Sequence, residues 1–234
     1  MKTKMKALTL VLCAVMLVAS TVFATVAFLT STTETVENTF TVGKVNIILN
    51  EADVDTNGAY VKDINTRDLT NEYHLLPGLS YIKDPTVQVK TDSEDCYVRM
   101  MVTVTVPAAA ADKIGTDLTN IVTGHDEAIW VRKNQTVTPG EDATIIVYEY
   151  RYNGIVDAST LPAGYEADYG KLPALFTGIT VPGDYDNAAI EALSGLKIDV
   201  IAHAIQSAGF TATENETAED VAWAAFDKQT ETNN

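Results

Sequence analysis

CYVRMMVTVTV, residues 96–106, alternates more cleanly than any other part of the chain. Val98, Met100, Val102, Val104 and Val106 fall on one side, and Arg99, Thr103 and Thr105 on the other. Successive side chains of a strand point to opposite faces, so this run predicts a β-strand with one face in the core.

Upstream, LLPGLSYIKDPTVQVK (Leu75 to Lys90) places Pro77-Gly78 at a tight turn and Pro85 at the start of a strand. Phe40 to Leu49 also alternates, with Val45, Ile47 and Leu49 opposite Lys44 and Asn46, and reads as a half-buried strand. Downstream, Ala108 to Asn120 suits a helix and Ala128 to Arg132 a short strand. A turn at Thr138 to Glu141 precedes Thr144 to Tyr152, which puts Ile146, Tyr148, Tyr150 and Tyr152 on one face. Leu161 to Lys171 is a loop, Leu175 to Val181 a short strand and Tyr185 to Leu193 a helical turn.

In Leu196 to Gln206, Ile198, Val200, Ala202 and Ala204 alternate with Lys197, Asp199 and His203, so strand is preferred over helix despite the alanines. Thr217 caps a short helix to Phe226, with Glu219 and Asp220 facing the positive end of its dipole. Strands at irregular spacing with helices confined to insertions predict an all-β protein, an antiparallel jelly-roll β-sandwich with a few short helices in insertions. The domain is expected to span residues 40–226, with 227–234 a disordered tail.

The chain opens with Lys2, Lys4 and Lys6, an apolar run from Ala7 to Ala19, and small residues at Ala24 and Ala27. That order predicts a signal peptide over residues 1–27, cut after Ala27, with Ala24 as the second choice. An uncleaved anchor is the alternative, since weak apolar character continues to Leu29. Cys13 leaves with the signal, so Cys96 has no cysteine left to pair with.

Three of the 16 basic residues leave as well, while all 32 acidic ones stay, moving the net charge from −16 to about −19. The sign of this charge argues against nucleic acid and anionic lipid as ligands and favours divalent cations and basic surfaces. Thr30 to Asn38 is a polar, Thr-rich run that favours an extended chain.

Enzyme motifs are missing: there is no HExxH, GxSxG or glycine-rich phosphate loop. His74, His125 and His203 are scattered, and Cys96 has no neighbouring basic group. Asp53, Asp55 and Asn57 followed by Gly58 match the first half of a calcium loop, but Ile64 stands where the closing acid belongs, so a solvated turn is the plainer reading. No cofactor is expected, calcium being the one candidate.

The stretches TVAF at Thr25 to Phe28, NTFTVGKVNIIL at Asn38 to Leu49, Leu75 to Lys90, YVRMMVTV at Tyr97 to Val104 and LKIDVIAHAIQSAGF at Leu196 to Phe210 together resemble the TasA/camelysin family of exported Gram-positive proteins, in its clostridial pilin-like branch. The resemblance implies a jelly-roll subunit of extracellular biofilm matrix fibres, released by a dedicated signal peptidase between Ala27 and Phe28. It also implies that residues 28–39 act as a donor strand completing the sheet of the next copy. Phe28, Leu29, Val36 and Phe40 would be its apolar anchors, by main-chain pairing to a sheet edge.

The expected partners are copies of the same chain and, during export, the signal peptidase; contact with membrane is expected only before cleavage. The expected location is secreted, at the cell surface or in the matrix. Two alternatives stand beside this reading: a secreted camelysin-like metallopeptidase, the family's older label, for which the sequence carries no zinc motif, and a monomeric surface adhesin using a tyrosine face.

Overall fold

The computed structural model describes residues 43–232, so the expectations for the signal peptide, the cut at Ala27 and Phe28, and the anchors Leu29, Val36 and Phe40 lie outside the described residues. Within them the protein is all-β. Eleven strands are described: β1 Ile47–Ala52, β2 Arg67–Asp68, β3 Ser80–Ile82, β4 Thr86–Lys90, β5 Cys96–Pro107, β6 Val122–Thr123, β7 Trp130–Thr138, β8 Ala143–Tyr152, β9 Tyr169–Lys171, β10 Gly178–Thr180 and β11 Lys197–Gln206. The α-helices are α1 Ala111–Ile114, α2 Asn187–Ala192 and α3 Ala218–Thr232. Every strand pairing is antiparallel.

The strands form two four-stranded sheets, ordered β2-β1-β4-β9 and β11-β5-β8-β7, and a three-stranded one, β3-β10-β6. The 96–106 run is the centre of the second sheet. Its apolar side, Val98, Met100, Val102, Val104 and Val106, is wholly buried, and it meets Val87 and Val89 of β4 and Ile146, Tyr148 and Tyr150 of β8 in one core cluster. Excluding those side chains from water is the main stabilising term. Tyr148 and Tyr150 are therefore core residues, and no exposed tyrosine face exists on β8 for a glycan.

Several expectations are corrected. Of the strand expected over Phe40 to Leu49, residues 40–42 lie outside the described residues and 43–46 are not strand; β1 starts at Ile47 and runs on to Ala52. The helix expected over 108–120 breaks into short turns, because Gly115 takes φ 65° and Asp117 caps a new 3-10 turn by accepting from the Thr119 N–H. The strand at Trp130 runs to Thr138, because it pairs along nearly all of β8.

The expected tail begins inside a helix. Thr217 and Asp220 form a reciprocal cap: the Asp220 N–H donates to Thr217 Oγ1, and the Thr217 N–H donates to Asp220 Oδ2. From that start α3 continues to Thr232, with Trp223 buried against Tyr97 and Ala222. Arg99 fixes its second half to the outer face of β5, donating to both carboxylate oxygens of Asp227 and lying over the Trp223 ring at 4.5 Å. The tail assignment overlooked that an outward-facing arginine on a strand can recruit a polar helix.

Candidate functional site

The outer strands of the β11-β5-β8-β7 sheet are β11 and β7, and among the described residues neither has a strand on its outer side. β11 pairs β5 without interruption over ten positions, from Lys197 opposite Thr105 to Gln206 opposite Cys96. One row of its side chains points to the core: Ile198, Val200, Ala202 and Ala204 pack against the buried cluster yet stay only partly buried. Their neighbours one strand inward, Val104, Val102, Met100 and Val98, are wholly buried. The apolar layer thus runs past the last hydrogen-bonded strand.

β1 shows the same feature in the other sheet. It pairs β4 over Ile47 to Asn50, but β2 covers only Glu51 and Ala52 on its other side. Val45, Ile47 and Leu49 are partly buried against the core, and β1 and β11 come within 8 Å Cα to Cα with no ladder joining them. Two sheet edges with half-covered apolar rows therefore flank one side of the core.

A cleft of about 610 Å³ opens beside the start of β11, lined by Tyr73, Leu75, Ile179, Ile190, Leu196 and Ile198 among others. Tyr73 is fixed in its wall by donating to the Ile82 carbonyl and by an edge contact with Tyr81. Burial, reinforced by Glu51 and Asp84, pushes its phenol well above the ordinary range, so it stays a neutral donor. Among the described residues the β11 edge therefore has no strand partner on its outer side, and it lies beside a cleft of mixed lining to which Asn71, Glu72, Lys83, Lys197 and Asp199 also contribute.

The other sequence candidates are not gathered there. Asp55 accepts from the backbone N–H groups of Asn57 and Ala59, so its carboxylate closes an Asx turn between Val54 and Tyr60. Gly58 takes φ 75° and lies against Tyr81, where an added Cβ would sit 2.6 Å from the Tyr81 Cα, so the loop's glycine answers to packing. Asp53 is held by its backbone, to Thr66 and Val61.

Cys96 is buried, and burial pushes its thiol up to about 11, leaving it unreactive at neutral pH. His74 lies in the loop before β3, His125 packs edge-on to Tyr150, and His203 sits on β11 beside Arg99. Among the described residues no three His, Cys, Asp or Glu side chains converge to hold a metal ion.

The sequence reading missed the paired edges of β1 and β11. The signal was present in the alternation of Ile198 to Ala204, but edge position is set by pairing partners far away in sequence. Comparison with protein-family models gave no match to this chain, and neither did comparison with curated proteins or with solved structures.

Proposed function

We propose that this protein is a secreted structural subunit of extracellular biofilm matrix fibres, a jelly-roll domain that polymerises by donor-strand complementation. The observation that carries the reading is the β11 edge, where a half-buried row from Ile198 to Ala204 faces the core with no described strand beyond it. The family resemblance set out above supplies the donor. After cleavage behind Ala27, residues 28–39 pair with that edge on the next copy, and Phe28, Leu29, Val36 and Phe40 cover the apolar row. Such a head-to-tail contact does not close on itself, so it propagates as a filament. The precursor stays monomeric because its donor is still tethered to the membrane.

Deleting Phe28 to Asn38 from the mature protein is expected to abolish fibres in electron micrographs while leaving the circular dichroism of the fold intact. A synthetic peptide of residues 28–40 should then raise the melting temperature of the truncated protein in a concentration-dependent way. Undiminished fibres from the truncated chain would refute donor-strand assembly.

A further inference from the structure

Two ion pairs are buried side by side under the loop that follows β2, and they are built differently. Arg67 Nη1 donates to Asp84 Oδ2 at 2.8 Å, and its other N–H groups reach Asn50 Oδ1, the Asn50 carbonyl and the Asp84 carbonyl. That guanidinium is locked on all sides. Lys83 Nζ, in contrast, donates to Glu51 Oε1 at 2.7 Å and Oε2 at 2.9 Å, and among the described residues no other acceptor is assigned to it. The two side chains are only 9% and 11% exposed. Desolvating such a pair costs about as much as its attraction returns, so stability alone does not account for it.

A third side chain completes the group. Asn71 Nδ2 donates to the same Glu51 Oε2, at 3.4 Å, and to the Ala52 carbonyl at 3.0 Å. Its Oδ1 accepts the Val54 N–H at 3.1 Å. One carboxylate oxygen thus touches both an amine and the amide nitrogen that a reaction would expel, and a backbone N–H polarises the amide carbonyl. Asn71 and Lys83 also line the same cleft.

The geometry points to an intramolecular isopeptide bond, formed without any enzyme, between Lys83 Nζ and Asn71 Cγ with Glu51 as proton carrier. A proton moves from Lys83 to Glu51 along their short bond, leaving a neutral amine and a neutral acid in a site poor in water. The amine lone pair forms the Nζ–Cγ bond, and the carbonyl electron pair moves onto Oδ1, held by the Val54 N–H. Glu51 gives its proton to Nδ2 and takes one back from Nζ. The carbonyl re-forms as the Cγ–Nδ2 bond breaks, and ammonia leaves. No redox change and no co-reactant is involved. The bond would close the segment 71–83 into a ring and fasten the cleft wall bearing Tyr73 and Leu75, whether or not the subunit polymerises.

Intact mass spectrometry of the full chain followed by tryptic mapping tests this. The expected result is a protein lighter by one ammonia, about 17 Da, with trypsin unable to cut after Lys83. The loss then lies in a single peptide of residues 68–90 that contains both partners. Lys83→Arg, which keeps the charge opposite Glu51, and Asn71→Ala should each restore the full mass, and Glu51→Gln should leave both reactants unjoined.

Because the wild-type readout is covalent, it does not depend on any variant folding. Full mass with normal cleavage after Lys83 would overturn the proposal. So would a loss confined to residues 45–62, where Asn57-Gly58 can cyclise to a succinimide by expelling ammonia, with the same mass change. Loss of water with Lys83 joined to Glu51 would equally overturn it.

Discussion

Along β7 the outer edge of the sheet carries exposed Arg132 and Lys133, and the pairing with β8 shifts register between Arg132 and Asn134. Along β11 the pairing is unbroken for ten residues, and the core-facing row is apolar from Ile198 to Ala204. Charges and a bulge are the usual means by which a sheet edge refuses a new strand. β11 also carries exposed Lys197 and Asp199, so among the described residues it is the bulge that sets the two edges apart, although the same two central strands support both. The difference is one of regularity: among the described residues β11 keeps its ladder unbroken, whereas β7 is interrupted by a bulge.

The largest expected effect comes from breaking the open edge. Val200→Asp puts a charge in the half-buried row, costs the monomer about 1–2 kcal/mol of lost apolar burial, and should abolish fibres altogether. Val137→Asp on β7 replaces a side chain already 40% exposed, and should change stability by no more than about 0.5 kcal/mol with fibres intact. Light scattering and electron microscopy on both variants decide the comparison. Fibres lost in the β7 variant and kept in the β11 variant would exchange the roles of the two edges.

An intermediate effect is expected from disarming the guarded edge. Lys133 is the extra residue of the β7 bulge, since Arg132 pairs Tyr150 and Asn134 pairs Glu149 on adjacent positions of β8. Deleting it should straighten the ladder, remove one charge and create a second adhesive edge. The expected outcome is lateral, branched aggregation a few-fold faster than wild type, even in protein lacking residues 28–38. Sedimentation of that truncated variant is the direct measurement, and a strictly monomeric product would show that the bulge is not what guards β7.

The strands themselves were legible because alternation is a local signal: Val98 to Val106, Ile146 to Tyr152 and Ile198 to Ala204 each fall on the faces the sequence assigned them. Which strand ends up on an edge was not legible. It depends on β11 pairing β5 across about a hundred residues of chain, and no window of sequence reports that. The Lys83, Glu51 and Asn71 cluster was hidden for the same reason, since each residue read singly is an ordinary polar one. The helix reaching Thr232 was missed because its last turns carry few apolar residues and are held instead by Arg99 through Asp227.

The smallest expected effect concerns pH, and it again separates the two outer strands, because β11 alone of the pair carries a titrating contact with α3. Arg99 Nε donates to His203 Nδ1 at 3.2 Å, and the imidazole lies 4.9 Å from the Phe226 ring. Burial and the neighbouring Arg99 charge hold the His203 pKa below its ordinary value, while Asp227 and Glu149 partly oppose them.

The neutral ring is therefore the folded form, and the unfolded chain takes up the proton first as pH falls. Stability from this contact is complete above the ordinary histidine value of about 6.5, declines as pH drops below it, and levels off beneath the lowered folded value. A protonated ring cannot accept from Arg99, so the loss should concentrate in the docking of α3. Amide protection factors, corrected for the pH dependence of intrinsic exchange, should fall in residues 218–229 between neutral and mildly acid pH, while those of β7 stay unchanged. His203→Gln, which keeps an acceptor and cannot titrate, should flatten that response; an unchanged acid dependence in this variant would place the sensitivity elsewhere.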